Sequence, residues 1–178
     1  MRWCLALVLA SVLIPIGFIA SAALASGWFN LLSNALSDLG HATRSNVSPI
    51  FNFGLTAGGF LLAISGLTCA LRKNPVIGCT LAIAGFVLTL VAVFDEVYGR
   101  LHFYVSVAFF LSLAALLVEY AAYRRGAKGA LALLGVAIGV ASWVFHLHFG
   151  VPRGAALPEL VSIGVAIPFY ADFMLSED

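Results

Sequence analysis

Charge is what this sequence has least of. Asp, Glu, Lys and Arg make up 10% of its 178 residues and hydrophobic residues 62%, whereas a soluble domain carries about 25% charged residues. So small a polar complement cannot cover a globule in water, which excludes an ordinary soluble domain. The net charge is +1 and no basic patch stands out, so nucleic-acid binding lacks its electrostatic footprint. The three cysteines, Cys4, Cys69 and Cys79, show no disulfide-framework or metal-pair spacing and are expected to be small buried hydrophobes near the reducing side of the membrane. There is no His-x-x-x-His, no His-Glu-x-x-His and no Gly-x-Ser-x-Gly. The common zinc and serine hydrolase signatures are therefore missing, and the sequence assigns no catalytic residue.

What fills the chain instead is apolar runs of spanning length, about 20 residues each. Six are expected, at about 3–26, 49–72, 75–95, 101–123, 128–149 and 157–175. The fold class is all-α, a single integral membrane six-helix bundle in contact with the lipid bilayer. The first run has a basic start and an Ala-Leu-Ala end, Ala23 to Ala25, which imitates a signal peptide. It exceeds the 7–15 apolar residues typical of such a segment and reads as a retained span. Ser48-Pro49 and Asn74-Pro75 each place a capping side chain before a proline that suits a first helical turn. Pro168 falls inside the last run and is expected to kink it. Gly54/Gly58 and Gly135/Gly139 have the small-xxx-small spacing that lets helices approach. No run carries an ionisable residue near its centre, where pumps and proton-coupled transporters usually place one.

Lysine and arginine set the expected orientation. Arg2, Arg72, Lys73, Arg124, Arg125 and Lys128 gather at one set of ends; Arg44, Arg100 and Arg153 stand at the other. The richer set belongs inside, which puts both termini in the cytoplasm at the cell membrane, with the acidic tail at 176–178 carrying little weight. Glu119 and Asp172 are the inner acids, expected to pair with Arg124 and Arg125 or to snorkel. All four histidines, His41, His102, His146 and His148, fall at the outer ends, with Asp38, Asp95, Glu96 and Glu159.

The least hydrophobic stretch, residues 29–46, follows the first span. Leu32, Leu36 and Leu39 recur at helical spacing, with Asn30, Asn34, Ser37 and Asp38 on other sides. This predicts a short interfacial amphipathic helix over about 29–39, ended by Gly40, with Trp28 and Phe29 as anchors. Its polar face either meets water and head groups or folds over the mouth of the bundle.

Residues 34–59, "NALSDLGHATRSNVSPIFNFGLTAGG", carry a resemblance. Leu36-Ser37-Asp38-Leu39-Gly40 and Phe51-Asn52-Phe53-Gly54-Leu55 are similar to the signature of the small six-helix membrane proteins known as domain of unknown function 998. Residues 91–110 continue the likeness more loosely, with His102 opening the fourth span, and Pro158-Glu159-Leu160 resembles the start of the family's last helix. Asp95 stands where a proline often follows the Val-Phe pair. Leu160 stands where an Arg often follows the Glu, so no salt bridge from that position carries over. The resemblance implies a fold and a membrane location, and no activity.

Three uses of the outer polar residues remain open. They form a pocket for a lipid head group or small polar ligand, with Ser37, Asp38, His41, Asn52, Asp95, His102 and Glu159 as candidates. An arginine, Arg44, Arg100 or Arg153, would then hold an anion, and a His–Asp pair would act as acid and base. Alternatively His102, His146 and His148 ligate a metal or haem, although no cofactor is required by any motif. Or the residues satisfy one another in an oligomer or an assembly subunit of a membrane complex. Each has a plain structural explanation too: Asp38 and Asp95 as caps or turn formers, Glu159 as a helix-dipole partner, and His102 hydrogen-bonded to Asp95 or Glu96.

Overall fold

The structure, a computed structural model, describes residues 2–176, except for the side chain of Arg2. That side chain and the Glu177–Asp178 pair, both part of the charge reading, lie outside the described residues. The described chain is all-helical, with six helices long and apolar enough to cross a membrane. They are α1 (Arg2–Ser26), α2 (Ser48–Lys73), α3 (Pro75–Val93), α4 (Arg100–Tyr123), α5 (Ala127–Phe149) and α6 (Ala156–Leu175). The expected spans agree closely, because a bilayer demands apolar runs of a fixed length and little else. This is a multi-pass membrane protein.

Local signals explain the helix ends. Asn74 Oδ1 accepts hydrogen bonds from the backbone N–H groups of Val76 and Ile77 at 2.9 and 3.2 Å, capping α3 ahead of Pro75. The expected Ser48 cap does not form: Ser48 is already inside α2, and Ser45 Oγ accepts the Val47 N–H instead. Short connections make successive helices antiparallel. One end of the bundle therefore gathers the three long links, residues 27–47, 94–99 and 150–155. The other end gathers the tight turns and most of the basic residues.

α2 is the central helix, packed along both α1 and α3. Gly54 lies under Phe18 and Gly58 against Pro15 of α1. On the opposite side a Cβ at Gly59 would stand 2.6 Å from the Gly85 carbonyl oxygen of α3, and one at Gly66 would stand 2.6 Å from Ala82 N. Backbone meets backbone there, which only glycine permits. At Gly135 the nearest contact would be an ordinary 3.5 Å, to Val165. The α2 glycines are thus consumed inside the bundle, and no small-residue face is left on α2 for a partner subunit.

Two expectations need correction. The first concerns cysteine: Cys4 of α1 and Cys69 of α2 form a disulfide, with Cα atoms 6.1 Å apart, and Cys79 is free and exposed rather than buried. Spacing along the chain could not reveal this pairing, because antiparallel packing of two different spans creates it.

The second concerns residues 29–39, which are not a continuous amphipathic helix. The segment is a series of turns ending in a single 3-10 turn, Ser37–Gly40. Its own polar side chains compete for the backbone: Asn30 Oδ1 accepts from Leu32 N, Asn34 Oδ1 from Asn30 N, and Asp38 Oδ2 from Ala35 N. Other backbone groups of the segment are engaged by the start of α6 and the link before it. Gly154 N donates to the Leu32 carbonyl at 2.9 Å and Ala156 N to the Asn34 carbonyl at 3.0 Å. Leu32 O and Leu36 N, which would bond to each other in a helix, each have a partner 120-odd residues away. Gly40 does not serve as a left-handed helix stop. It is glycine because Phe51 and Asn52 pack onto it, so that a Cβ would stand 2.5 Å from Asn52 Oδ1.

Candidate functional site

The three long links converge over one end of the bundle, where four of the six described acids lie. Glu159, one turn into α6 and buried, accepts the Leu36 N–H through Oε2 at 2.6 Å. Ser37 Oγ donates to Glu96 Oε1, also at 2.6 Å. Asp38 Oδ2 accepts from Asn34 Nδ2 at 3.0 Å and Ala35 N at 2.9 Å, and its carboxyl is within hydrogen-bonding reach of Glu96. The 3-10 turn 37–40 thus ties α6 to the link between α3 and α4.

Asp95 and Glu96 divide their work. Asp95, buried, accepts the Val97 N–H at 2.8 Å and caps the short 3-10 turn Glu96–Tyr98. That cap turns Glu96 the other way, toward Ser37. Burial holds the Glu96 carboxyl above its ordinary value of 4.5. The Ser37 hydroxyl opposes this, the Asp38 charge and hydrogen bond reinforce it, and His102 opposes it again. Carboxyls this close share protons more readily than they ionise together. Gly99, at φ +55°, makes the sharp exit into α4.

His102 is buried at the start of α4. Its Nδ1 donates to the Phe94 carbonyl at 2.8 Å, and Ser106 Oγ lies 3.3 Å from Nε2. The backbone partner is neither of the two acids expected from sequence. A carbonyl can only accept, so Nδ1 carries a hydrogen, and Nε2 is the nitrogen left to face Ser106. Asn52 Nδ2 donates to the Gly40 carbonyl at 2.8 Å while its Oδ1 is buried without a partner. Asn52 therefore clamps the 3-10 turn to α2.

Beside this cluster is an open cleft of about 510 Å³, lined by His41, Thr43, Arg44, Glu96, Val97, Gly99 and His102. The Arg44 side chain is exposed there, with no hydrogen bond or ion pair to any other described residue. Of the site residues expected from the sequence, His41 and His102 line the cleft. Ser37, Asp38 and Glu159 form the polar shelf behind it, while Asp95 and Asn52 hold its walls in shape. Glu96 is the residue that reaches both shelf and cleft.

His146 and His148 lie elsewhere. His146 Nδ1 is bonded to the Pro152 carbonyl at 2.8 Å beside Trp143, and His148 is exposed, edge-on to Phe149. Among the described residues no three of His, Cys, Asp and Glu gather as a metal would need. At the opposite end of the bundle Asp172 accepts from Tyr120 and Lys128; of the two arginines expected as its partners, Arg124 lies 4.0 Å away. Glu119 instead accepts from Thr80 across the α3–α4 contact at 2.8 Å.

The Pro158-Glu159 start of α6, the Ser37–Gly40 turn and the Phe51-Asn52 pair of α2 are thus one contact system. The family described as protein of unknown function DUF998 matches residues 8–171. This chain belongs to that family. No curated protein matches it, and no solved structure does. The motif positions shared with DUF998 now have physical roles. Gly40 admits Phe51 and Asn52, Gly54 admits Phe18, and Glu159 anchors the Leu36 amide. In this DUF998 chain Leu160, where the family pattern often has an Arg, is exposed and takes no part in the shelf.

Proposed function

We propose that the cleft binds a zwitterionic lipid head group or small polar ligand at the outer face of the cell membrane, with both termini cytoplasmic. The observation that carries this reading is the free Arg44 guanidinium opposite Glu96 and His102 in an open cleft. A guanidinium is a fork of donors suited to phosphate or carboxylate. Left unpaired in a cleft whose lining includes Glu96, it is poorly explained as a structural brace. Arg44 would take the anionic group and Glu96 a cationic or hydroxyl group. His102 Nε2, fixed in orientation by Phe94, would receive a proton from the ligand if the cleft is also a place of chemistry. The orientation rests on the excess of lysine and arginine at the other end.

Native mass spectrometry with short-chain phosphatidylethanolamine, phosphatidylglycerol and uncharged diacylglycerol tests it. Phosphatidylethanolamine is expected to bind best, and Arg44→Gln to weaken it by about tenfold or more, the worth of a charged hydrogen bond. Equal binding of diacylglycerol, or an Arg44→Gln variant that binds like wild type, would refute the reading.

A further inference from the structure

A second cavity, unconnected with the head-group reading, lies at mid-depth in the bundle. It has a volume of about 90 Å³ and is bounded by five helices, α1, α2, α3, α4 and α6. On each of α2, α3 and α6 its lining begins and ends seven residues apart: Leu55 to Leu62, Leu81 to Leu88, and Ile163 to Tyr170. Seven residues of helix rise about 10.5 Å. The cavity is therefore a narrow tube along the bundle axis, beginning about one turn below Glu159 of the polar shelf.

The tube offers hydrocarbon and almost nothing else. Its polar neighbours at the basic end are already engaged with each other: Tyr170 Oη lies 3.0 Å from Ser11 Oγ and 2.8 Å from Ser65 Oγ. Those serine hydroxyls also reach the carbonyls of Val8 and Leu62. A polar ligand would lose its water and gain no partner here. Protein interiors seldom leave voids larger than a water molecule, since each void forfeits dispersion contacts. A void of this size in the middle of a membrane protein is best explained by an apolar occupant.

The way in is lateral. α1 touches α6 only sparsely while packing closely along α2. Ile16, on the tube's α1 wall, is 42% exposed on its outer side. Both helices flanking this seam carry an internal proline, Pro15 in α1 and Pro168 in α6. Each removes a backbone hydrogen bond close to the opening, to Ser11 and Gly164 respectively, which loosens the helix where a chain would pass.

We infer that the tube takes up one acyl chain of a bilayer lipid, entering from the membrane between α1 and α6. The nearest source of slender, unbranched hydrocarbon is the bilayer that this seam faces.

The test uses the full chain in lipid nanodiscs containing phosphatidylcholine with a diazirine on one acyl chain, followed by photolysis and peptide mapping. Labelling is expected on Leu113 and Ala166, which line the tube and are 8% and 3% exposed, as well as on lipid-facing residues such as Phe86 and Leu111. Ala166→Phe fills the tube and is expected to remove the Leu113 label while sparing Leu111. Labelling of wild type confined to outward-facing residues overturns the inference, whether or not the filled variant folds. Leu113 labelling that survives Ala166→Phe in a folded protein overturns it too.

Discussion

Glu159 Oε2 accepts the backbone N–H of Leu36 at 2.6 Å, joining residues 123 positions apart in the sequence. The bond replaces the one Leu36 would have donated inside a helix, and it fixes the Ser37–Gly40 turn over the bundle end. It is the principal brace of the polar shelf.

Glu159→Ala is therefore expected to destabilise the protein by about 1–3 kcal/mol, the cost of stranding a buried amide. Glu159→Gln keeps an acceptor oxygen and is expected to lose clearly less. Thermal unfolding of the three proteins in the same detergent measures the difference. An alanine variant as stable as wild type would mean that the shelf does not depend on this bond.

Glu96 gives a pH signature. Its carboxyl is held above 4.5 in the folded protein, chiefly by burial, so the folded state binds more protons than the unfolded one in that window. The associated stability is fully present below pH 4.5 and is lost as pH rises through the folded value. Glu96→Gln should flatten this part of the stability–pH curve and melt higher than wild type at neutral pH. A wild-type curve that rises across the same window would contradict the burial argument. Ser37→Ala, which removes the hydroxyl that favours the ionised form, should steepen the fall.

The cysteines give a count. With Cys4 and Cys69 joined and Cys79 exposed, the unreduced, unfolded protein is expected to take up one maleimide per chain, and three after reduction. Three without reduction would show that the pair is open. The bridge lies at the basic end, which the positive-inside rule assigns to the cytoplasm, where exposed thiols are kept reduced. Lysine and arginine govern insertion, so we expect a carboxy-terminal reporter to be cytoplasmic and the bridge to be shielded by burial, Cys69 being 6% exposed. A reporter found on the opposite side would reverse the orientation and move the cleft to the cytoplasmic face.

Much of the architecture is written locally. Run length sets the six spans, because the bilayer imposes one requirement on every crossing segment. Asn74-Pro75 announces the start of α3 for the same local reason. The basic bias and the clustering of histidines at one set of ends are also visible in order of occurrence alone. Of the leucines spaced at 32, 36 and 39, Leu36 and Leu39 are buried and Leu32 is exposed, so the pattern is an apolar face only in part. It does not make a helix because the competing partners, Gly154, Ala156 and Glu159, come from the far end of the chain.

The tertiary structure decided the rest, and in each case the cause is a contact between distant segments. Asp95 and Glu96 are adjacent and chemically alike; Glu96 is the one held at the shelf because Ser37, 59 positions away, donates to it. Cys4 meets Cys69 only because α1 and α2 pack antiparallel. Arg44 is free although Glu96 lines the same cleft, because Glu96 is bonded to Ser37 instead. The sequence by itself determined that this chain crosses a membrane six times, since that follows from hydrophobicity over short windows. The shelf, the cleft and the tube follow from which faces of those helices meet, and pairwise packing among six spans is not encoded in any window.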